Sequence, residues 1–217
     1  YQLADHIMVP TEFARQTFLV RGFPEKKIIK IPYGVDLKEF RKKKSNKKKG
    51  LLFRIIYTGT LSIRKGVLYL LKSFEELNLK NSQLLMIGNV DSEIKLKINK
   101  YRSNKKIVFK KSISQSKLSE QYSSSNVFIT CSIEEGLSMV QLQAMSCGLP
   151  IICTPNSGGD EIVDNGIDGF ILPIRDIKEL KKKILYLYNN QSICFEMGIR
   201  AQKKIKDSFS WETYGKN

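Results

Sequence analysis

The regular alternation of short β-branched apolar runs with stretches whose apolar residues recur at helical spacing limits this chain more than any other feature. Residues 6–9, 28–31, 53–57, 84–87, 107–109, 127–130, 151–153 and 169–172 read as strands. Between them, Val67, Leu68, Leu70, Leu71, Phe74 and Leu77 form one helical apolar stripe, and Ile177, Leu180, Ile184, Leu187 and Tyr188 mark another helix. Thr11 stands where an N-cap is needed for a helix reaching about residue 20. Further helices are expected over residues 92–101, 118–122, 137–147 (closed by Gly148), 159–163 and 192–205. A short helical piece should end near Phe40, and a last segment opens at Trp211. Strand, helix, strand, helix at this spacing predicts an α/β chain built as a doubly wound parallel sheet, with helices on both faces. Open sheets of this kind bind ligands at the carboxyl ends of their strands, so the loops that follow strands are where chemistry belongs.

Length and composition fit that frame. The 217 residues suit one full domain and part of a second, and 41% hydrophobic residues suffice for a packed core. No stretch approaches the roughly 18 apolar residues of a membrane-spanning helix. The opening YQLADHIMVP has neither a basic leader nor a cleavage site, and reads as the middle of a structured segment. Cys131, Cys147, Cys153 and Cys194 show no Cys-x-x-Cys spacing, and His6 is far from all of them. They read as buried, reduced thiols of a cytoplasmic protein rather than as metal ligands. The net charge is +16, and seven positive side chains lie within residues 41–49, RKKKSNKKK, with no acid among them. Such a run is expected to be a solvated linker. It also suits acidic lipid at the inner membrane face. The absence of interleaved aromatics and of any recognition signature weighs against nucleic acid.

Three loops hold the candidate chemistry. The first, Gly59 to Gly66 (GTLSIRKG), follows a strand and opens a helix. Its glycine allows a close backbone approach, and Arg64 and Lys65 add two cations to a helix N-terminus that itself carries about half a positive charge. Together these suit a diphosphate, although a turn with two solvated cations has the same sequence. The second loop, CSIEEGLSM, brings Glu134 and Glu135 to another helix N-terminus. Glu135 can accept hydrogen bonds from hydroxyls, or the two carboxylates can merely complement the helix dipole. The third, PNSGGDE, sets Gly158 and Gly159 before a further helix, as a ligand contact or as a plain turn. One such loop is weak evidence; three at strand ends should converge on one crevice.

In this order the motifs resemble the family-4 (group 1) retaining glycosyltransferases of the GT-B fold, over nearly the whole chain. The carriers are YTGTLSIRKGVLYLLKSF, EEGLSMVQLQAMSCGLPIICT and TPNSGGDEIVDNGIDGFIL, preceded by ADHIMVPTEFARQTFLVRGFPEKKIIKIPYGVDLKEF. The resemblance implies a Rossmann-like donor-binding C-terminal domain over residues 51–209. Residues 1–40 would be the tail end of an N-terminal acceptor domain otherwise missing from this chain. Residues 41–50 would be the basic interdomain linker, and 210–217 the start of a crossover helix. Arg64 and Lys65 would clamp the diphosphate of a UDP- or GDP-sugar, and Glu135, the first Glu of the family's Glu-x7-Glu, would hold donor-sugar hydroxyls. Those three form the implied catalytic set. Gly59, Gly136, Leu137, Ser138, Gly158 and Gly159 would present backbone to the donor. Gln143 stands where the family carries the second Glu, which binds ribose hydroxyls; it keeps hydrogen-bonding capacity but lacks the charge. No metal or other cofactor is implied, and no Asp-x-Asp occurs. The implied function is hexosyl transfer with retention to an acceptor sugar or lipid-linked glycan. A non-catalytic nucleotide-sugar-binding or regulatory module, with Gln143 as a mark of decay, is the competing reading.

Overall fold

The computed structural model describes residues 3–43 and 52–216. The greater part of the basic run, residues 44–49, therefore lies outside the described residues. The chain opens with β1 (Ile7–Val9), α1 (Glu12–Leu19) and β2 (Ile28–Lys30). Thr11 caps α1 as expected, its hydroxyl accepting from the Ala14 amide at 3.1 Å. β1 and β2 pair in parallel as a separate two-stranded sheet. Ile7, Val9 and Ile28 are buried there against Ala14, Phe18 and Phe23.

The remaining strands are β3 (Phe53–Thr58), β4 (Ser82–Ile87), β5 (Ile107–Lys110), β6 (Val127–Ile129), β7 (Ile151–Cys153) and β8 (Gly169–Ile171). They form one parallel sheet in the order β5-β4-β3-β6-β7-β8, with Ile55 paired to Leu84 on one side and to Val127 on the other. The doubly wound parallel sheet expected from the sequence is the fold observed. The order runs outward from β3 in both directions, so the chain reverses between β3 and β6. That reversal leaves a crevice at the carboxyl ends of these two strands.

Helices cover both faces. α2 (Val67–Leu77), α3 (Lys95–Asn99) and α7 (Ile177–Asn189) lie on one, and α4 (Gln115–Ser123) and α5 (Met139–Ser146) on the other; α8 (Gln191–Ser208) serves both, with Cys194 and Met197 in the first core and Ala201 and Ile205 in the second. The period of two along a strand decides which core each residue enters. Ile55 and Tyr57 pack with Leu70, Leu71, Phe74 and Ile184, whereas Ile56 packs with Tyr122, Leu142, Met145 and Ile205. Two shorter helices, α6 (Gly159–Ile162) and α9 (Trp211–Tyr214), complete the described chain.

Two local expectations differ from the structure. The piece before Phe40 is a single turn and not a helix. Asp36 Oδ1 accepts from the amides of Lys38 and Glu39, the Phe40 amide returns to the Asp36 carbonyl at 2.9 Å, and Phe40 then enters the second core. Residues 92–101 are also not one helix: α3 is flanked by 3-10 turns at Ser92–Ile94 and Lys100–Ser103. Ile94, Ile98 and Tyr101 nonetheless keep the helical stripe buried.

All four cysteines are free and buried. Burial pushes the thiols of Cys131 and Cys194 up to about 12 and that of Cys147 up to about 11, so they remain protonated near neutrality.

Candidate functional site

The loops after β3, β6 and β7 meet at the reversal point. The first begins at Gly59, whose amide still bonds the Ile87 carbonyl at 3.0 Å, and it is held from below by Tyr57, whose hydroxyl donates to the Thr60 carbonyl at 2.8 Å. It is tied to β4's loop by the Leu61 amide on the Asn89 carbonyl at 2.8 Å and by the Ile63 amide on Glu93 Oε1 at 2.8 Å. Gly66 ends it at φ +63° and acts as the N-cap of α2. A Cβ at Gly66 would stand 1.9 Å from the Cys131 carbonyl oxygen, so only glycine lets the first loop lie against the second.

Direct bonds join these two loops. The Ile133 amide donates to the Arg64 carbonyl at 2.8 Å, and Arg64 Nη1 donates to the Glu134 carbonyl at 2.9 Å. Lys65 Nζ forms an ion pair with Glu135 Oε1, and Ser132 Oγ donates to Glu135 Oε2 at 3.1 Å. The Lys65 and Glu135 side chains are 16% and 17% exposed, so this pair is mostly withdrawn from water yet still reachable. Arg64 is exposed.

The third loop closes on the second through a polar net that the sequence did not single out. Thr154 Oγ1 donates to the Ser132 carbonyl at 2.6 Å, and Asn156 Nδ2 to the Ile133 carbonyl at 2.7 Å. The Ser138 amide reaches the Ser157 carbonyl at 3.3 Å, which also accepts from Gln141 Nε2 at 2.7 Å. Gly158, at φ +77°, has no room for a Cβ, which would sit 2.8 Å from the Gly136 carbonyl. A Cβ at Gly159 would sit 2.6 Å from Cys153 Sγ. The signal for this net was present as the Thr-x-Asn-Ser at 154–157, but small hydroxyl and amide residues after a strand are common in any turn.

Two helix N-termini open onto this point without a side-chain cap: α2 at Gly66 and α5 at Ser138. Free amides and partial positive charge are thus presented on both sides of the reversal. Gly136 has open space beyond its Cα, while Leu137 and Ser138 are buried beneath it. α5 begins at Met139 and not at residue 137 because Ser138 is extended, at φ −81° and ψ 103°, with its amide on the Ser157 carbonyl; Leu137 before it is buried in the second core. On the following turn, the Oε1 of Gln143 is buried with no hydrogen-bond partner among the described residues. A buried, unpaired carbonyl oxygen is costly unless something donates to it. Arg64, Lys65, Glu135, Gly136, Ser138, Gly158 and Gly159 are therefore brought to one meeting of loops, with Gly59 at its base and Gln143 on the helix behind it.

Residues 38–204 match the family model described as Glycosyl transferases group 1. CapM, a capsular polysaccharide biosynthesis glycosyltransferase of Staphylococcus aureus, is 31% identical over 169 residues, covering 74% of this chain and 44% of the relative. An uncharacterized glycosyltransferase of Methanocaldococcus jannaschii, MJ1069, is 28% identical over 228 residues, covering 98% and 56%. Anabaena HepE, solved in complex with UDP and glucose, superposes with a TM-score of 0.87 at 16% identity, covering 99% of this chain and 62% of that one. Sucrose-phosphate synthase from Thermosynechococcus elongatus gives 0.84 at 23% identity, covering 97% and 56%. At these identities the two structures speak to the fold alone. The chain spans about half the length of the curated relatives it matches.

Proposed function

The chain belongs to the group 1 glycosyl transferases, and from that premise we propose that it is the donor half of a retaining hexosyltransferase using a UDP- or GDP-sugar. The observation that carries this reading is the convergence of three glycine-bearing loops at the reversal of the sheet, with Lys65 and Glu135 in contact across it. HepE, whose structure holds UDP and glucose, shares the fold that would present these loops to a donor of that class.

In this proposal the diphosphate lies over the N-termini of α2 and α5, reached by Arg64 and Lys65. Lys65 moves from Glu135 to a phosphate oxygen, and the freed Glu135 carboxylate accepts hydrogen bonds from the donor sugar. As the glycosidic bond to the diphosphate breaks, the charge on the leaving oxygen grows, and two cations and two helix ends are already in place to stabilise it. Removing one preorganised donor of this kind commonly lowers rate by about 10²–10³. Gly136 to Ser138 and the Gly158–Gly159 turn present backbone, and Gln143 Oε1 accepts from the ribose. The acceptor, a sugar or lipid-linked glycan, would dock on the other half of the protein, which completes the cleft.

The domain assignment is part of the same proposal: an N-terminal tail over 1–40, a linker over 41–50, the donor domain over 51–209 and the start of a crossover helix over 210–217. Two contacts bear on its geometry. Glu161, on α6, accepts from the Glu12 amide at 2.6 Å and pairs with Lys30 at 3.1 Å, so the third donor loop touches the small sheet. Val35 and Phe40 are buried in the core of the larger sheet, so the end of the proposed tail packs on the donor domain.

The substitution at position 143 favours one competitor, a non-catalytic sugar-nucleotide-binding module. A thermal-shift panel of UDP-, GDP- and ADP-sugars on the wild type and Gln143→Glu tests the donor site. The expected result is stabilisation by one base only. Gln143→Glu should be less stable alone, by at least about 1–3 kcal/mol because an unpaired charge costs more to bury than a neutral amide, yet bind the donor about tenfold more tightly. A variant that binds more weakly contradicts ribose recognition by this side chain. Donor binding by a longer chain that neither transfers nor hydrolyses the sugar would favour the module.

A further inference from the structure

Residues 95–111, KLKINKYRSNKKIVFKK, hold eight Lys/Arg and no Asp/Glu. They form α3, the 3-10 turn at Lys100–Ser103 and β5, which is an edge strand of the large sheet. Seven of the eight cations are exposed; Lys106 is partly covered and donates to Asn78 Oδ1 and the Leu79 carbonyl at 2.9 Å each. Among the described residues none of the eight forms an ion pair with a carboxylate. Leu96 projects from the middle of this surface at 84% exposure. Beside it runs a groove of about 480 Å³ between α2, α3 and the start of α7, whose apolar walls are Leu68, Tyr69, Leu96 and Ile177. Lys72, Lys97 and Lys100 line it as well. Two acids on the adjoining elements are already engaged. Glu76 pairs with Lys72 and Lys181, and Glu93 accepts from the Ile63 amide.

We propose that the α3–β5 face is a docking surface for an anionic lipid bilayer. Its cations meet phosphodiester headgroups, while Leu96 enters the boundary between headgroups and acyl chains. Charge complementarity and the exposed leucine carry the choice of partner. A polyanion compensates cations that have no carboxylate of their own, and an apolar boundary removes Leu96 from water. Nucleic acid fits less well, because the aromatic rings of this stretch are not free to stack on bases. Tyr101 is 2% exposed, and Phe109 is covered by the Arg102 guanidinium at 5.1 Å. The stretch is separate in sequence from the basic run at 41–49, and the proposal does not rest on sugar transfer.

Co-sedimentation of the chain with phosphatidylcholine vesicles, with and without about one-third phosphatidylglycerol, tests this. Binding should need the anionic lipid and weaken with salt. Each lysine removed from contact weakens binding by roughly fivefold, and removing Leu96 adds to that. Leu96→Gln/Lys97→Gln/Lys100→Gln should therefore bind at least about 100-fold more weakly, whereas neutralising Lys47, Lys48 and Lys49 should leave most binding in place. The three positions, in α3 and the turn that follows it, are exposed, and an unchanged melting curve verifies that the variant folds. As an independent readout, Leu96→Trp should show a blue-shifted emission on anionic vesicles, measured as the difference from the parent chain. The proposal is overturned by loss of binding in the Lys47–Lys49 variant but not in the α3 variant. An absence of vesicle binding, or α3-dependent binding to nucleic acid alone, overturns it equally.

Discussion

Lys65→Ala is expected to lower affinity for the nucleoside diphosphate sugar about 100-fold. In the free protein the Lys65 ammonium is held by Glu135 inside a crevice where both side chains are about five-sixths covered. A charge-assisted hydrogen bond to phosphate contributes about 1.5–3 kcal/mol, and 1.4 kcal/mol corresponds to a factor of ten in affinity. Alanine removes that bond and also one of the two cations of the loop. The same substitution leaves the Glu135 carboxylate, among the described residues, with Ser132 Oγ at 3.1 Å as its hydrogen-bond partner. Breaking a fully buried ion pair costs about 3–5 kcal/mol, and partial exposure here reduces that to about 1–2 kcal/mol of folding stability. Calorimetric titration and urea unfolding separate the two effects. Glu135→Gln gives the diagnostic contrast, because it loses the same ion pair while leaving the cation in place. Equal loss of diphosphate affinity in both variants, measured with UDP lacking its sugar, would mean that the pair is merely structural.

Gly66→Ala should have the largest effect on stability of any single methyl addition in the first loop. Two independent penalties act at this residue. Its φ of +63° disfavours an L side chain by roughly 1–2 kcal/mol. The new methyl would also lie 1.9 Å from the Cys131 carbonyl, which is backbone and cannot rotate away. Overpacking of that kind costs about 1–3 kcal/mol. A total near 3 kcal/mol should lower the melting temperature by about 6–12 °C for a domain of this size. Because relief requires the first loop to lift from the second, donor binding should fall as well. Gly136→Ala is the control, since open space lies beyond Gly136, and it should change stability little. A Gly66→Ala protein as stable as its parent would contradict the close approach of the two loops.

Why so much of the fold was legible can be argued from particular elements. β3 reads as a strand because Phe53, Ile55 and Tyr57 alternate with residues that enter the opposite core, and α2 reads as a helix because Val67, Leu70, Leu71 and Phe74 share one face. These are local periodicities, and tertiary packing reinforced them. The turn before Phe40 was misread because one helical turn and a single capped turn have the same local sequence; burial of Phe40 against Tyr122 and Met145 stops its propagation. The Gly59–Gly66, Glu135–Ser138 and Gly158–Gly159 segments were legible as candidates because glycine and charge recur together after three strands, although each loop alone also suits a plain turn. What pairs with what was not legible. Lys65 to Glu135 spans 70 positions and Glu161 to the Glu12 amide spans 149, and both follow from the order of strands in the sheet. The α3–β5 cations also escaped notice in the sequence, since their exposure becomes visible only once β5 is known to be an edge.

In the proposed function a nucleoside diphosphate sits where these three loops meet. An amide-resolved nuclear magnetic resonance titration of the isotopically labelled chain with UDP, repeated with GDP, tests it most directly. One nucleotide should move the amide signals of Gly59, Arg64 to Val67, Gly136 to Val140 and Gly158–Gly159 together, along one saturable curve. Saturable shifts confined to some other surface, or to just one of the three loops, would contradict it.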